Sequence, residues 1–414
     1  MFVIYEVILS LVFVLLLPGF LFLRLIRGKP TGGLAARMGL RLGKGSHDLW
    51  IHAVSVGEVA AARVIVDRVL ALRPGTSVLV TTTTVTGQTL ARRIFHDATV
   101  TWFPFDFTVT VRRFIDAYKP SSYVTIETEL WPNIARILYA RGIPALLVNG
   151  RISDRSFPRY RMIRPLAAQI LTRYRAILAR EEVDHDRFIA IGADPERVSV
   201  AGNVKFDYEP SDAPLEFTDA LDAVLGGRAL FVAGSTSPGE EELIADIIPA
   251  LTDSGVVTVL APRKPGRFVE VAALLEQRQI RFIRRSELDR ESRADVILLD
   301  TIGELSRLYR LARAAFVGGS LLPAGGHNPI EPAAVGVPVA FGPHMNNFRD
   351  ITTALVRSGA GITVADPAEL ERFVLKMVED DESHGRRSRA AINTVEANRG
   401  AAALIANRIV EMIG

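Results

Sequence analysis

Short β-rich runs alternate with helical runs along this chain, and this alternation limits the possible fold more than any other feature of the sequence. In the first half, the runs that favour strands cover residues 49–54, 77–82, 101–103, 123–126 and 145–148. Strands separated by helices in this way form βαβ units with a parallel sheet. The alternation stops at residues 207–227, which are rich in Pro, Asp and Gly and therefore indicate a linker.

The alternation then restarts and predicts a second parallel sheet. Strand-favouring runs cover residues 229–233, 256–260, 296–299, 315–317 and 337–341, and residues 367–414 favour helices. The sequence therefore predicts an α/β fold with two Rossmann-like domains that face each other across a cleft. We assign residues 46–206 to the N-terminal domain, and residues 226–414 to the C-terminal domain with its terminal helices.

Composition excludes several classes of protein. Hydrophobic residues make up 49% of the 414 residues and charged residues 23%, which is typical of a chain with large buried cores and not of a disordered one. Cysteine is absent, so disulfide scaffolds, thiolate zinc sites and cysteine nucleophiles are excluded. The seven histidines show no paired metal-binding spacing, and Walker A and dinucleotide-binding motifs are absent from the sequence. We therefore assign no metal and no cofactor.

Residues 1–25 are predicted to form a membrane-anchor helix. Residues 7–23 carry no charge, and about 20 apolar residues can cross a bilayer as a helix. Residues 1–45 contain six basic side chains and one acid, Glu6, for a net charge of +5, whereas the remainder has a net charge of −2. The positive-inside rule then places the body in the cytoplasm, and the confined positive charge argues against a nucleic-acid-binding body. The anchor is spanning or monotopic, and the alternative is a hydrophobic helix docked on the protein surface or lying in the interface.

Polar residues of the first half are concentrated in loops that follow predicted strands, where ligands bind in parallel α/β sheets. Glu58 opens a helix, and it is either a helix-capping carboxylate or a general base. Glu127 and Glu129 would point to opposite sides of an extended segment, so we expect at most one to face a cleft, and Glu129 suits capping of the helix at Pro132. Lys205 precedes the linker and could reach an anionic ligand, although a surface lysine is the commoner case.

Loops of the second half favour an anion. Residues 234–240 place glycines, hydroxyls and free N–H groups at the start of a helix, and such groups bind anions. Arg263 follows the next strand and adds a fixed positive charge with a fork of donors.

A glycine-rich loop at residues 318–328 completes this predicted anion site. It ends at Asn328, which we expect to cap a helix with Pro329 in the first position. Glu331 would complete a capping box or accept ribose hydroxyls from a nucleotide. Three such loops on one sheet, together with the anchor, predict group transfer from a nucleotide donor to a lipid.

Taken in chain order, these loops resemble the 3-deoxy-D-manno-octulosonic acid (Kdo) transferases of Gram-negative bacteria. The resemblance covers nearly the whole chain and depends most on Ser55-Val56-Gly57-Glu58 and Glu127-Thr128-Glu129-Leu130-Trp131-Pro132, with residues 202–206, 262–263, 303–305 and 318–332. It implies the B-type glycosyltransferase fold and an inverting, metal-independent transfer of Kdo from CMP-Kdo to a lipid A precursor, lipid IVA. It also implies lipopolysaccharide biosynthesis at the cytoplasmic face of the bacterial inner membrane.

The resemblance also implies roles for individual residues. Glu58 matches the family's general base, and Glu127 and Lys205 match residues assigned to transition-state stabilisation. The positions that match CMP contacts are Pro262, Arg263, Gly303, Glu304, Leu305, Asn328, Pro329, Ile330 and Glu331. This chain departs from the family at Ser237 and Lys264, since the family usually has His at the first position and often has His at the second. Serine and lysine can still donate hydrogen bonds to anions, so the departures do not change the expected reaction class. They affect the detailed contacts to the CMP-Kdo donor and the pH dependence of the reaction.

Two other classes of function stay open from the sequence. Another B-type glycosyltransferase or a sugar-nucleotide epimerase would share the fold and the loop at residues 328–331, although epimerases normally lack an anchor. A non-catalytic, membrane-tethered nucleotide-binding scaffold would keep Arg263 and the glycine-rich loop, but it has no use for Glu58.

Overall fold

The structure, a computed structural model, describes residues 1–26 and 33–414 as two compact units. Unit 1 comprises Met1–Asp207 and Arg399–Gly414, and unit 2 comprises Tyr208–Asn398. Arg27 and Lys29, two of the six basic residues counted in residues 1–45, lie outside the described residues.

Unit 1 is built on a parallel sheet of seven strands, as counted in the described part of the chain. The strands are β1 (Leu49–His52), β2 (Val78–Thr82), β3 (Thr99–Trp102), β4 (Tyr123–Ile126), β5 (Ala145–Gly150), β6 (Ala176–Ala179) and β7 (Val198–Val200). They lie in the order β3-β2-β1-β4-β5-β6-β7, so the direction of winding reverses between β1 and β4. Every residue of β1, β2, β4 and β5 is buried, because helices cover both faces of the sheet.

Nine described helices precede or connect these strands, and two of them begin at an N-cap residue whose side chain caps the helix. They are α1 (Phe2–Ile26), α2 (Leu34–Arg37), α3 (Val56–Leu72), α4 (Val85–Ile94), α5 (Thr108–Tyr118), α6 (Pro132–Ala140), α7 (Phe157–Met162), α8 (Arg164–Leu171) and α9 (Glu182–Ala190). Ser55 caps α3 by accepting from the Glu58 N–H, and Thr84 caps α4 by accepting from the Gly87 N–H. Each cap satisfies a backbone donor that has no partner within its helix.

Unit 2 repeats this plan with a second parallel sheet of seven described strands. Its strands are β8 (Ala229–Thr236), β9 (Val256–Pro262), β10 (Phe282–Arg284), β11 (Val296–Leu298), β12 (Ala314–Val317), β13 (Val339–Phe341) and β14 (Gly361–Thr363). Their order is β10-β11-β9-β8-β12-β13-β14, with the reversal between β8 and β12. Its helices are α10 (Thr218–Leu225), α11 (Glu240–Asp253), α12 (Phe268–Gln277), α13 (Leu305–Leu308), α14 (Ile330–Ala333), α15 (Arg349–Arg357), α16 (Pro367–Glu379) and α17 (Asp381–Ala397).

The prediction of two α/β, Rossmann-like units is confirmed, and the sequence missed four strands for two different reasons. The short edge strands β7, β10 and β14 are partly exposed, so they lack a continuous apolar run. Strand β6 is mostly buried, but its Ala-Ile-Leu-Ala composition does not favour a strand over a helix. That the two domains face each other across a cleft stays a prediction.

The last helix, α18 (Ala401–Ile413), belongs to unit 1, whereas the sequence assigned residues 226–414 to the C-terminal domain. Ile405 and Ile409 of α18 are fully buried in one core cluster with residues of α3. At the start of α18, the Asp207 carboxylate accepts from the N–H groups of Gly400 (2.7 Å) and Ala402 (2.8 Å). The assignment failed because an amphipathic pattern shows that a helix has an apolar face but not which sheet that face covers.

The predicted anchor forms one helix. Residues 2–19 within α1 are apolar enough, and the helix long enough, to cross a membrane by length and composition. This confirms the helix and its apolar character.

Replacement of Ile405 by Ala tests the assignment of α18 to unit 1. We expect a loss of about 2–5 kcal/mol from the stability of unit 1, because the change removes a buried side chain and leaves a cavity. All three tryptophans, Trp50, Trp102 and Trp131, belong to unit 1, so urea unfolding followed by tryptophan fluorescence reports on this unit. The matched control is Leu404→Ala, an exposed position on the same helix, which should change stability by about 0.5 kcal/mol or less. An unchanged fluorescence transition in the Ile405 variant would contradict the assignment.

Candidate active site

Four of the loops predicted to be functional lie where the strand order reverses in each sheet. Ligands of doubly wound α/β sheets bind outside the carboxyl ends of strands at such a reversal. In unit 1 the reversal separates β1 from β4, which lead to Glu58 and Glu127 respectively. In unit 2 it separates β8 from β12, which lead to the loops at residues 237–239 and 318–328.

Glu58 is a buried carboxylate held in place by its own loop. Its side chain is 8% exposed. The Val54 N–H donates to Oε2 and the Ser55 hydroxyl donates to Oε1, each at 2.8 Å. The Thr84 hydroxyl donates to the Val54 carbonyl at 2.9 Å and so ties this loop to the end of β2. Glu58 therefore stabilises the start of α3, as the capping interpretation predicts. Each of its carboxylate oxygens accepts one hydrogen bond and keeps a further lone pair, so Glu58 can also accept a proton.

Glu58 interacts electrostatically with two further carboxylates. Burial raises the pKa of Glu58, and the negative charge of Glu127 raises it further. Burial and the charge of Glu58 raise the pKa of Glu129 to about 7. Like charges in a poorly solvated site disfavour ionisation, so Glu58 and Glu129 hold protons at higher pH than free carboxylates do.

The expectation that at most one of Glu127 and Glu129 faces a cleft rested on a wrong premise. It assumed an extended segment, but Glu127 has a φ of 61°, in the left-handed region that non-glycine residues rarely adopt. The chain therefore turns at Glu127, and the rule that alternate side chains point to opposite sides does not apply. Strained backbone of this kind is concentrated at functional sites.

The expectation that Glu129 caps α6 was also wrong. Asp106 fills this role, because its carboxylate accepts from the N–H groups of Asn133 (3.0 Å) and Ile134 (2.9 Å). Asp106 lies in the loop before α5, far from α6 in sequence, so no local capping pattern indicates it. The Glu129 carboxylate is therefore not used as a helix cap, and it interacts with Glu58 and Glu127 instead.

Lys205 lies on a short 3₁₀ turn, Val204–Asp207, which follows β7. The turn packs against α3, since Val204 belongs to the core cluster that α3 shares with α18. The Val204 N–H also donates to the Asn149 side chain at 3.2 Å, which ties the turn to the end of β5. The position of Lys205 is thus coupled to the helix that carries Glu58.

In unit 2, a cavity of about 420 Å³ opens at the carboxyl ends of β8 and β9. It is lined by hydroxyls, cations and a histidine, together with apolar residues: Thr236, Ser237, Pro238, Arg263, Lys264, Arg267, Leu322, Pro323, Ala324 and His327. Burial and the nearby Arg263 lower the pKa of His327 to about 4, so this imidazole is neutral at pH 7. Ser237 and Lys264, the two positions that depart from the family pattern, both contribute to the cavity wall.

Of the N–H groups at residues 234–240 that we predicted to bind an anion, that of Ser237 is already occupied. Glu240 is fully buried, and Oε2 accepts from the N–H groups of Ser237 (2.9 Å) and Gly319 (2.6 Å). Its Oε1 accepts from Ser320 (2.8 Å) and Leu321 (2.9 Å). The anion at these donors is therefore the protein's own carboxylate, which joins the two loops. An external anion would instead meet the cationic and hydroxyl side chains of the cavity.

The capping box predicted at Asn328 takes a different form. Helix α14 begins at Ile330, whose N–H donates to the Asn328 side chain at 3.1 Å. Glu331 accepts from the Asn328 side chain at 3.3 Å and not from its backbone N–H. Burial raises the pKa of Glu331, while Asn328 and the charge of Arg263 act in the opposite direction. Arg263 thus acts electrostatically on both His327 and Glu331.

Residues 303–305 approach the same edge of this sheet. A Cβ added at Gly234 would lie 3.3 Å from the Leu305 side chain, so Leu305 packs on the end of β8. The Glu304 side chain is paired with Arg285 at 2.9 Å and accepts from Thr301. Its carboxylate is therefore structural, and the segment has only its backbone and Leu305 to offer a ligand.

Replacement of Glu240 by Gln tests the junction of the two loops. The amide keeps one acceptor oxygen and turns an NH₂ group towards two backbone N–H groups, so we expect a loss of about 2–4 kcal/mol in local stability. Hydrogen exchange of peptides covering residues 237 and 319–321 should accelerate at least tenfold. The control Glu242→Gln alters a carboxylate in the same first turn of α11 and should leave this exchange unchanged. Equal protection in both variants would show that Glu240 does not hold the loops.

Comparisons with known proteins point to one family. Residues 32–208 match the family described as 3-Deoxy-D-manno-octulosonic-acid transferase (kdotransferase). The chain is 37% identical over 360 residues to a 3-deoxy-D-manno-octulosonic acid transferase of Haemophilus influenzae, covering 85% of this chain and 84% of that protein. It is 32% identical over 379 residues to the Bordetella pertussis transferase of the same name, covering 88% and 87%.

Among solved structures, a UDP-GlcNAc 2-epimerase from Neisseria meningitidis bound to UDP-GlcNAc aligns with a TM-score of 0.57. The alignment covers 89% of this chain and all of that one at 11% identity, which shows a shared fold alone. The family match and the curated relatives go further, and they show that the chain belongs to the 3-deoxy-D-manno-octulosonic acid transferase family of glycosyltransferases.

Proposed function

We propose that this enzyme transfers Kdo from CMP-Kdo to the lipid A precursor lipid IVA, with inversion at the anomeric carbon. The observation that carries this proposal is the buried Glu58 at the strand reversal of unit 1, with its raised pKa and its two fixed hydrogen bonds. A scaffold protein that only binds a nucleotide does not need a carboxylate with a raised pKa and a fixed orientation. Membership of the Kdo transferase family supports the sugar, and the cationic cavity of unit 2 supports an anionic donor.

The chemistry requires one base and one stabilised leaving group. A hydroxyl oxygen of the acceptor forms the new bond to the anomeric carbon of Kdo, and its proton passes to the Glu58 carboxylate. The bond between that carbon and the CMP phosphate oxygen breaks, and its electron pair leaves with CMP. In this proposal Glu127 and Lys205 of unit 1 stabilise the transition state. In that state the sugar is oxocarbenium-like and gains positive charge, while the departing phosphate gains negative charge.

The donor nucleotide is assigned to unit 2. Arg263 supplies a fixed guanidinium to the phosphate, and Pro262 lies beside it at the end of β9. The remaining proposed CMP contacts are Gly303, Glu304, Leu305, Asn328, Pro329, Ile330 and Glu331. Of these, Glu331 is the carboxylate suited to ribose hydroxyls, because it lies within the electrostatic reach of Arg263.

The proposed location is the inner membrane of a Gram-negative bacterium, with the catalytic body on the cytoplasmic face. The proposal is supported by the apolar helix α1 and by the basic residues that follow it in the sequence.

The direct test incubates the detergent-solubilised full-length protein with CMP-Kdo and a tetra-acylated lipid A precursor, and measures the mass of the lipid product. A mass gain of one or more Kdo units is expected. CMP binding without any gain would contradict the transferase assignment and would support the scaffold.

Glu58→Gln in the same assay should lower kcat by about 10²–10⁴, because the amide cannot take the proton of the acceptor. CMP affinity should be unchanged, since the variant position lies in unit 1. The control Glu196→Gln, an exposed carboxylate of unit 1, should keep full activity. A kcat within a few-fold of the wild type for Glu58→Gln would exclude Glu58 as the base.

The pH dependence tests the coupling of Glu58 to Glu127. Because the base acts when deprotonated, kcat/KM should fall as pH drops through the raised pKa of Glu58. Glu127→Gln removes the negative charge that raises the pKa of Glu58, so this pKa should decrease and the acid limb should move down by about 0.5–1 pH unit. An acid limb that stays in place, or moves to higher pH, would show that the two carboxylates are not coupled.

Arg263→Gln tests the donor site. We expect CMP to bind about 10–100-fold more weakly by calorimetry, because hydrogen bonds to charged groups contribute about 1.5–3 kcal/mol. Arg278→Gln removes an exposed arginine of unit 2 that pairs with Asp246, and it serves as the matched control with unchanged affinity. Equal CMP affinity in both variants would place the phosphate elsewhere.

A further inference from the structure

The anchor helix α1 has two distinct faces. Its partly buried residues follow a helical stripe, which comprises Phe2, Tyr5, Glu6, Leu9, Ser10, Phe13 and Leu17. The residues between them are all apolar and well exposed: Val3, Ile4, Val7, Ile8, Leu11, Val12, Val14, Leu15 and Leu16. Tyr5, Glu6 and Ser10, the polar side chains of this part of the helix, all belong to the first stripe. We call the two faces the docked stripe and the outward stripe.

The docked stripe is held by polar contacts to the amino ends of α5 and α6. Glu6 accepts from the Thr108 N–H and the Thr108 hydroxyl, each at 2.9 Å, and from the Asn133 side chain. The Tyr5 hydroxyl donates to the Asp106 carboxylate at 3.0 Å. A carboxylate at a helix amino end is favoured by the helix dipole, so Glu6 is suited to this protein surface.

Apolar contacts continue along the same stripe. The Phe13 ring lies edge-on to Phe105 and Phe107, with ring centres 5.2 and 5.1 Å apart. At the other end, the Phe2 ring lies 4.7 Å from the Arg173 guanidinium carbon. The helix therefore contacts unit 1 at both Phe2 and Phe13, which are about 16 Å apart along the helix axis.

This geometry conflicts with a helix that spans the bilayer. A hydrocarbon core is about 30 Å thick, and a spanning helix would separate its first residues from the body by that thickness. Contacts at Phe2, Glu6 and Phe13 would draw Asp106 and Arg173 into the hydrocarbon, where ionisable groups are costly. We propose instead that α1 is a monotopic anchor that lies along unit 1 in the plane of an anionic bilayer, with its outward stripe immersed in one leaflet.

Charge around the helix supports an anionic leaflet as the occupant. The guanidinium carbon of Arg173 lies 4.7 Å from the centre of the Phe2 ring, whereas Arg136 nearby donates to Thr108 and Asn133 within the protein. Tyr139, which is 65% exposed, lies beside Arg173. Arginine and tyrosine at the margin of an apolar face are typical of contact with anionic headgroups.

The depth of α1 in a membrane tests the proposal. The chain has no native cysteine, so Ile4→Cys, Ile8→Cys, Leu11→Cys and Leu15→Cys can each carry a single nitroxide label. The full-length protein is bound to vesicles of phosphatidylethanolamine and phosphatidylglycerol, and depth is read from accessibility to oxygen and to a nickel complex. An in-plane helix should place all four labels at nearly the same depth within one leaflet.

Two results would overturn the proposal. A spanning helix would change the depth by about 16 Å between positions 4 and 15. A helix that merely covers the protein surface would leave all four labels accessible to the nickel complex. A label at Leu9→Cys, on the docked stripe, should be less accessible to oxygen than its neighbours, and a label at Leu404→Cys should be fully accessible to water.

The role of Arg173 is tested by vesicle sedimentation. Arg173→Gln should weaken binding to anionic vesicles roughly fivefold, with little effect on neutral phosphatidylcholine vesicles. Arg278→Gln removes an exposed arginine of unit 2 and is the matched control. Equal binding by the two variants would contradict the anionic leaflet. Both measurements omit the sugar donor, so their outcome is independent of the proposed reaction.

Discussion

The loops of unit 2 depend on a single buried carboxylate. Glu240 accepts four backbone N–H groups from two glycine-rich loops that follow different strands. Buried backbone donors without partners would each cost about 1–3 kcal/mol, and these loops contain few side chains that could replace Glu240. Because the donors are occupied from within, the cavity beside them can present its cations and hydroxyls in a fixed arrangement.

Glu58 in unit 1 has a similar position at the start of a helix but a different environment. It accepts two hydrogen bonds from its own loop, and the negative charge of Glu127 acts on it. Burial and repulsion raise its affinity for a proton, while the hydrogen bonds fix its orientation. The number of donors and the neighbouring charges therefore distinguish the structural Glu240 from Glu58, which we propose as the base.

Carboxylates at helix amino ends also join segments that are distant in sequence. Asp106 caps α6 and accepts from Tyr5, Glu6 contacts the start of α5, and Asp207 caps α18. Each pairs the positive end of a helix with an acid from elsewhere in the chain. In unit 1 these contacts attach both the first and the last helix to the body, which gives the chain's two ends defined positions.

The sequence alone determined the two parallel α/β units, the apolar character of α1 and the loops that carry Glu58, Glu127, Arg263 and Asn328. These follow from local hydrophobic period and from the rule that ligands bind at the carboxyl ends of parallel strands. Only the tertiary structure decided that α18 covers unit 1, that Asp106 and not Glu129 caps α6, and that Glu240 fills the donors predicted to bind a ligand. Each of these depends on which side chain, distant in sequence, reaches a given backbone group or apolar face. A local sequence pattern does not show which distant residues meet in the fold.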